Sequence, residues 1–365
     1  MEWTEQDFRW RVPIAGVSHS QPVIWGDRLF LTSATNAGEE RTLLCLRKTD
    51  GKELWKKTYV LPTHPPGNKN ASFANGSAVV DGERVIACFV SKEHFWVRSF
   101  DHSGKELWAR DLGTFTSQHG HGASPIIYGN TVIVTNEQDE VSFVAALALE
   151  TGEQVWKTPR QPKPASTSYS TPVVFAPPGK KPELILTSQA HGISSLDPET
   201  GSANWSTPAL PGRAITSPVL AGDLVVGGSR NFQVALRLGQ QGPEGSPPVA
   251  YTVRAGMPYV TVPLYHDGRI YVVNDVGIAG ARDSATGREL WNERVGLEFF
   301  GSPVWIDGKI YCASSKGEMV VFATGDEFKL LARNPLGEGT RSTPCVDGGR
   351  LYMKTFTHLV CIGGK

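Results

Sequence analysis

The chain has 365 residues, and its 36 Lys and Arg balance 36 Asp and Glu, so the formal net charge is zero at pH 7. This balance argues against a nucleic-acid-binding protein, which needs a basic surface. No run of about 18 apolar residues occurs, so no transmembrane helix is predicted. The 39 Gly and 25 Pro residues favour a turn-rich β protein.

One short phrase recurs eight times along the chain: a small residue, usually Ser, then Pro, two apolar residues and a tight turn. The phrases are centred on Pro22, Ala78, Pro125, Pro172, Pro218, Pro263, Pro303 and Pro344. Their spacing ranges from 56 residues (22 to 78) to 40 residues (263 to 303). Repeats of this length, each followed by alternating apolar strands, predict a β-propeller with four strands in each blade.

A second motif, Gly-x-x-x-Trp, closes most of the repeats. It occurs at Gly51–Trp55, Gly104–Trp108, Gly152–Trp156, Gly201–Trp205 and Gly287–Trp291. A buried indole removes a large apolar area from water, so we expect these tryptophans to lock neighbouring blades together. The fifth repeat has Tyr251 where the others have Trp, and the seventh has Phe328 and no Trp.

The chain stops soon after the inner strands of the eighth repeat, which therefore lacks an outer strand. Residues 7–14 offer one, with Trp10 in the docking position. Pairing this strand with the last repeat would remove two open sheet edges. We therefore predict one all-β domain over residues 1–365, an eight-bladed propeller of four-stranded antiparallel blades, with residues 7–14 completing the last blade.

The fullest copy of the second motif, Ala281-Arg-Asp-Ser-Ala-Thr-Gly287-Arg-Glu-Leu-Trp291, resembles the tryptophan-docking motif of PQQ-like (quinoprotein-like) propellers. That family includes quinoprotein alcohol dehydrogenases and BamB-like assembly factors, and the likeness covers essentially the whole chain. Many of the dehydrogenases carry an adjacent-cysteine disulfide over PQQ, whereas the five cysteines here are scattered. The resemblance therefore implies the fold, and PQQ is not expected.

Residues that enter each first strand, and those in the loops from second to third strand, should line one mouth of a propeller channel. Five of the nine histidines fall in these two classes, and Tyr259 and Phe300 also lie in the entries. The candidate ligand-binding residues are His19, His119, His121, Tyr169, His191, Arg230 and Arg341. The two arginines are suited to bidentate binding of an anion.

A divalent metal is a second hypothesis for this mouth. On an extended segment the imidazoles of His119 and His121 would lie on one side and could share a transition metal. Glu137, Asn274 and Asp275 are oxygen donors suited to Ca²⁺. The alternative is that these are polar loop residues bonded to the propeller's own backbone.

Proteins with this fold have many unrelated functions, so the fold alone does not predict what this protein does. We predict a non-catalytic binding or assembly scaffold that takes a protein or glycan at the channel mouth, monomeric and periplasmic or otherwise extracytoplasmic, its leader already removed. The alternative is an enzyme acting on carbohydrate or alcohol: a PQQ-dependent oxidoreductase, or a metal-dependent lyase or hydrolase with a histidine-rich site.

Overall fold

A computed structural model describes residues 2–62, 72–208, 210–242 and 245–363. Short 3-10 helices include Glu5–Asp7 and Asn36–Gly38. The strands, in chain order, are β1 (Phe8–Pro13), β2 (Val23–Trp25), β3 (Arg28–Thr35), β4 (Glu40–Arg47), β5 (Glu53–Val60), β6 (Val79–Val80), β7 (Arg84–Val90), β8 (Phe95–Asp101), β9 (Glu106–Asp111), β10 (Ile126–Tyr128), β11 (Thr131–Asn136), β12 (Ser142–Ala148), β13 (Gln154–Arg160), β14 (Val173–Phe175), β15 (Glu183–Ser188), β16 (Gly192–Leu196), β17 (Ala203–Ser206), β18 (Val219–Ala221), β19 (Leu224–Ser229), β20 (Phe232–Arg237), β21 (Val249–Val253), β22 (Leu264–His266), β23 (Arg269–Val273), β24 (Ile278–Asp283), β25 (Glu289–Arg294), β26 (Val304–Ile306), β27 (Lys309–Ala313), β28 (Glu318–Ala323), β29 (Leu330–Pro335), β30 (Cys345–Asp347), β31 (Arg350–Lys354) and β32 (His358–Gly363).

These strands form eight four-stranded antiparallel sheets, and the fold is the predicted eight-bladed β-propeller. Blade 1 is β2–β5, and each later blade takes the next four strands, up to β26–β29 for blade 7. The first strand of every blade begins one residue after the predicted repeat start, from Val23 to Cys345. Among the described residues no helix combines the length and hydropathy needed to cross a bilayer.

Blade 8 takes its outer strand from the N-terminal segment, as the sequence predicts. Its order is β1-β32-β31-β30, with Trp10 opposite Cys361 and Pro13 opposite His358. The indole N–H of Trp10 donates to the carbonyl oxygen of Lys48 in blade 1 at 3.2 Å. Trp10 therefore has the docking role expected of it.

Backbone contacts divide the chain into two compact units. The terminal unit is Trp3–Ala165 with Ser342–Lys365 and holds blades 8, 1, 2 and 3. The middle unit is Met1–Glu2 with Ser166–Arg341 and holds blades 4 to 7.

Within each blade the first strand begins at the same end as the turn from second to third strand, because the strands are antiparallel. We call this the entry end, and the other the hairpin end.

The core of each unit lies between the faces of neighbouring blades. In the terminal unit, Phe30 and Leu43 of blade 1 pack with Val85 and Phe100 of blade 2. In the middle unit, Tyr271 and Trp291 of blade 6 pack with Phe322 of blade 7. Most second and third strands are buried on both faces, so their residues hold the loops at the entry end in place.

Candidate functional site

His121, at the entry to blade 3, is inserted into the terminal unit. Its ring meets Phe95 and Phe115 edge-on, with centroids 4.8 and 5.2 Å away. Its Nε2 lies 3.4 Å from the carbonyl oxygen of Thr135, so the tautomer protonated on Nε2 can donate there. Burial lowers the pKa of His121 from 6.5 to about 4, although the Thr135 contact opposes this shift. The side chain is therefore a neutral imidazole at neutral pH.

The expectation that His119 and His121 share one side of an extended segment is wrong. Gly120 between them has φ +76°, a left-handed conformation that turns the chain. The backbone N–H of His119 donates to Ser117 Oγ, and its carbonyl oxygen accepts from Asn75 Nδ2 at 3.3 Å. His119 is therefore a turn residue that links the entries of blades 2 and 3.

His19 lies at the entry to blade 1 in the same unit. Its backbone N–H donates to the carbonyl oxygen of Ala74 at 3.0 Å, and its ring is partly buried.

Glu137 follows β11 and forms a buried ion pair. Its Oε1 accepts from Nε of Arg160 at 2.7 Å, and the two side chains are 8% and 6% exposed. One oxygen of the Glu137 carboxylate already binds the Arg160 guanidinium. A metal ion would therefore have to compete with this cation for the carboxylate. Arg160 was not among the predicted site residues. It is the last residue of the outer strand β13 and lies opposite Ser142 of β12.

Asn274 and Asp275 follow β23 in the middle unit. Asn274 is buried, and its Oδ1 accepts from the backbone N–H groups of Val276 and Ile278 at 3.2 and 2.9 Å. These bonds close the turn into β24, so the amide oxygen stabilises the loop. Asp275 is partly exposed beside it.

Tyr169 and His191 also lie in the middle unit, at the entry end of blade 4. The backbone N–H of Tyr169 donates to the carbonyl oxygen of Ala214, and that of His191 donates to Ser188 Oγ. His191 Nδ1 lies 3.4 Å from the same hydroxyl. In the described ranges, no group of three or more His, Cys, Asp or Glu side chains is arranged to hold a metal ion.

Arginine–aromatic pairs mark the entry end of the middle unit. The guanidinium of Arg230 lies 5.3 Å from the ring centre of Tyr259, and that of Arg341 lies 5.0 Å from Phe300. Arg230 is exposed in the two-residue turn between β19 and β20, where Asn231 takes the left-handed conformation at φ +56°. Burial lowers the pKa of Arg341, and Glu298 opposes that shift.

A third pair at this end was missed from the sequence. Arg254, just after β21, lies 5.2 Å from the ring centre of Phe232 at the start of β20. The antiparallel order brings the end of an outer strand to the entry end, where this pair lies. Arginine is always cationic and stacks on aromatic faces, so this end presents three positive groups on apolar supports.

Comparison with known proteins identifies the family. A family model described as outer membrane protein assembly factor BamB matches residues 6–231 and 252–361. The chain belongs to this family. The unmatched stretch between these ranges contains β20 and most of the outer strand of blade 5, where Tyr251 replaces the usual Trp.

Individual relatives include the outer membrane protein assembly factor BamB of Burkholderia pseudomallei. It is 23% identical over 92% of this chain and 81% of its own length. The polyvinylalcohol dehydrogenase of a Pseudomonas species is 22% identical over 82% of this chain, but the match covers only 50% of its own length.

Solved structures share the fold at low sequence identity. BamB from Moraxella catarrhalis superposes with a TM-score of 0.68 at 14% identity, covering 96% of both chains. A europium-containing methanol dehydrogenase gives a TM-score of 0.71 at 14% identity over 94% of this chain and 84% of that one. Proteins named as an assembly factor and as dehydrogenases thus share this scaffold, and the side chains must distinguish them.

Proposed function

We propose that this protein is a non-catalytic, extracytoplasmic scaffold that contributes to the assembly of outer membrane proteins. The observation that carries the proposal is the set of Arg–aromatic pairs at the entry end of the middle unit. Its relatives in the family bear the name of an assembly factor, which agrees with this role.

The pairs suit a protein partner with carboxylates. Arginine and aromatic residues are enriched in the binding hot spots of protein interfaces. Arg230 and Arg254 are exposed, while Tyr259 and Phe300 are partly buried. An acidic segment laid across this end would gain bidentate contacts to guanidinium groups that are already oriented by the rings.

Residues that could carry chemistry serve the fold instead, which supports a non-catalytic role. Glu137 is paired with Arg160, Asn274 closes its own turn, and His121 is packed between two phenylalanine rings. Each would have to give up a bond or a packing contact before it could act on a substrate.

Site-directed photo-crosslinking in the cell of origin tests this proposal. A benzoylphenylalanine in place of Arg230 is expected to capture a discrete protein partner, and the Phe300→Ala and Arg341→Ala changes are expected to weaken that product. The matched control is the same crosslinker at Glu199, which is exposed at the hairpin end of blade 4. Equal products from both positions, or none at Arg230, would refute the assignment of this surface.

The rival hypothesis is a PQQ-dependent oxidoreductase, favoured by the polyvinylalcohol dehydrogenase relative. The residues do not fit the cofactor well. Of the three oxygen donors predicted for Ca²⁺, Glu137, Asn274 and Asp275, the first already accepts from Arg160 and the second from two backbone N–H groups. Stoichiometric PQQ uptake with oxidation of an alcohol would favour this rival over the scaffold.

A further inference from the structure

Arg41, in β4 of blade 1, is a buried cation without a carboxylate partner in the described ranges. The residue is 1% exposed, and its Nη2 donates to the carbonyl oxygen of Val90 at 3.3 Å. Nε and Nη1 are buried and have no hydrogen-bond acceptor among the described residues. Burying an arginine in this state is costly unless something supplies negative charge.

The other deeply buried cations of the terminal unit show what compensation looks like. Arg160 is paired with Glu137 at 2.7 Å, and Nζ of Lys354 donates to the carbonyl oxygens of Thr355 and Phe356 at 2.6 and 2.9 Å. Arg41 has one long bond and the ring of Phe73, whose centre lies 4.2 Å from the guanidinium carbon. Burial lowers the pKa of Arg41 to about 10, so the group is still cationic at neutral pH.

No acid in the described ranges forms an ion pair with Arg41. Glu40, its neighbour in the chain, accepts from Thr35 Oγ1 at 2.6 Å. Residues 63–71, which precede Phe73 and lie outside the described ranges, include no Asp or Glu in their sequence. A carboxylate from that segment therefore cannot be the missing partner.

Arg41 lines a small polar cavity between blades 1 and 2. The cavity has a volume of about 20 Å³, and its lining includes Thr32, Ser33, Asn75, Cys88 and His121. This volume is enough for a water molecule or a monatomic ion, since such a species needs roughly 10–15 Å³.

Among the described lining side chains, Arg41 keeps two buried N–H groups without an acceptor. Ser33 Oγ donates to the carbonyl oxygen of Ala15 at 2.6 Å, and Thr32 Oγ1 donates to that of Gly76 at 3.1 Å. Burial raises the pKa of Cys88 to about 12, so its sulfur is a neutral thiol and adds no negative charge. The cavity thus combines a buried positive charge with spare N–H groups.

We propose that this cavity is a binding site for a chloride-sized monovalent anion, held by the Nε and Nη1 groups of Arg41. A water molecule would accept these hydrogen bonds but leave the charge uncompensated. The anion would join blade 1, which supplies Arg41, to the lining residues Cys88 and Val90 of blade 2 and to His121 at the entry of blade 3. Its role is therefore structural, in stabilising the contacts between these three blades.

The test compares thermal unfolding in chloride and in gluconate, which is too large for the cavity. At equal ionic strength, about 200 mM sodium chloride is expected to raise the Tm by roughly 2 °C or more over sodium gluconate, with saturation, because the ligand binds only the folded state. The Arg41→Met variant is expected to lose this difference. The control is Arg98→Met, since Arg98 also stacks on aromatic rings but has Glu106 as its ion-pair partner at 2.9 Å.

A second measurement holds even if Arg41→Met does not fold. Crystals of the unaltered protein grown in sodium bromide are expected to show an anomalous peak at the Arg41 guanidinium. Equal Tm values in chloride and gluconate, together with no bromide peak in this cavity, would overturn the proposal and indicate a water molecule instead.

Discussion

The indole ring of Trp55 lies against the backbone of Gly104 in the neighbouring blade. A Cβ atom at Gly104 would come 2.8 Å from the Trp55 ring, and the indole N–H donates to the carbonyl oxygen of His102 at 3.0 Å. Trp108 and Gly152 repeat this contact one blade further on, with the indole N–H donating to Leu149. The Gly and the Trp of the Gly-x-x-x-Trp motif thus act in different interfaces: the Gly receives the ring of the previous blade.

Replacing Gly104 with Ala is therefore expected to destabilise the fold by about 2–4 kcal/mol, part from the positive φ of +88° and part from the clash with Trp55. Gly129→Ala is the matched control, because Gly129 also has a positive φ, +54°, but a Cβ there would meet no atom within 4 Å. Urea unfolding of both variants measures the difference. Equal losses would mean that the docking contact is not a steric constraint.

The Glu137→Gln variant is expected to lose about 3–5 kcal/mol of unfolding free energy, since it leaves the buried Arg160 guanidinium without its carboxylate. The double change Glu137→Leu with Arg160→Met should recover much of that loss. Asp223→Asn serves as the control: its partner Arg237 is 2.7 Å away, but the pair is solvent-exposed, so the expected loss is at most about 1 kcal/mol. A loss that small for Glu137→Gln would contradict the buried pair.

His121 should make stability depend on pH in the acid range. Its pKa is about 4 when folded and 6.5 when unfolded, so between these values the unfolded chain binds more protons. The unfolding free energy therefore rises as the pH increases from about 4 to 6.5 and then levels off, with a total contribution of about 3 kcal/mol from this group.

The His121→Gln variant is expected to lose this component of the pH dependence. Unfolding should be measured in gluconate buffers, because Arg41 and Cys88 line the same cavity and a bound anion would change the charge beside the imidazole. His266→Gln, which alters a histidine stacked on Trp305 at the hairpin end, reports the background effect of losing a histidine. Parallel curves for the unaltered protein and His121→Gln would contradict a buried neutral imidazole.

Addition of PQQ with Ca²⁺ is expected to cause no saturable absorbance change and a Tm shift below about 1 °C, because one carboxylate oxygen of Glu137 and the amide oxygen of Asn274 are already bonded. A known PQQ-dependent dehydrogenase is the positive control. Metal analysis of untagged protein extends the test: stoichiometric metal that is lost on combined His119→Ala and His121→Ala changes would instead support the metal-dependent enzyme.

The sequence determined the blades because their signals are local and periodic. Turn residues and alternating apolar residues act within a few positions of each other, so the eight strand starts and the docking role of Trp10 could be predicted. Even the substitution of Tyr251 for Trp follows the pattern, since a Cβ at Gly287 would meet the Tyr251 ring at 2.4 Å.

Only the tertiary structure decided what the polar residues do. Glu137 and Arg160 are 23 positions apart, and their pairing requires the loop after β11 to meet the end of β13. Gly120 turns His121 inward between two rings, which a His-x-His pattern does not specify. Arg41 lies in β4, where all residues from Arg41 to Leu46 are buried, so its burial could be inferred from the continuous apolar run that begins at Leu43. The absence of an acidic partner for Arg41 could not be predicted from the sequence, because charge compensation depends on which distant side chains the folded blades bring together.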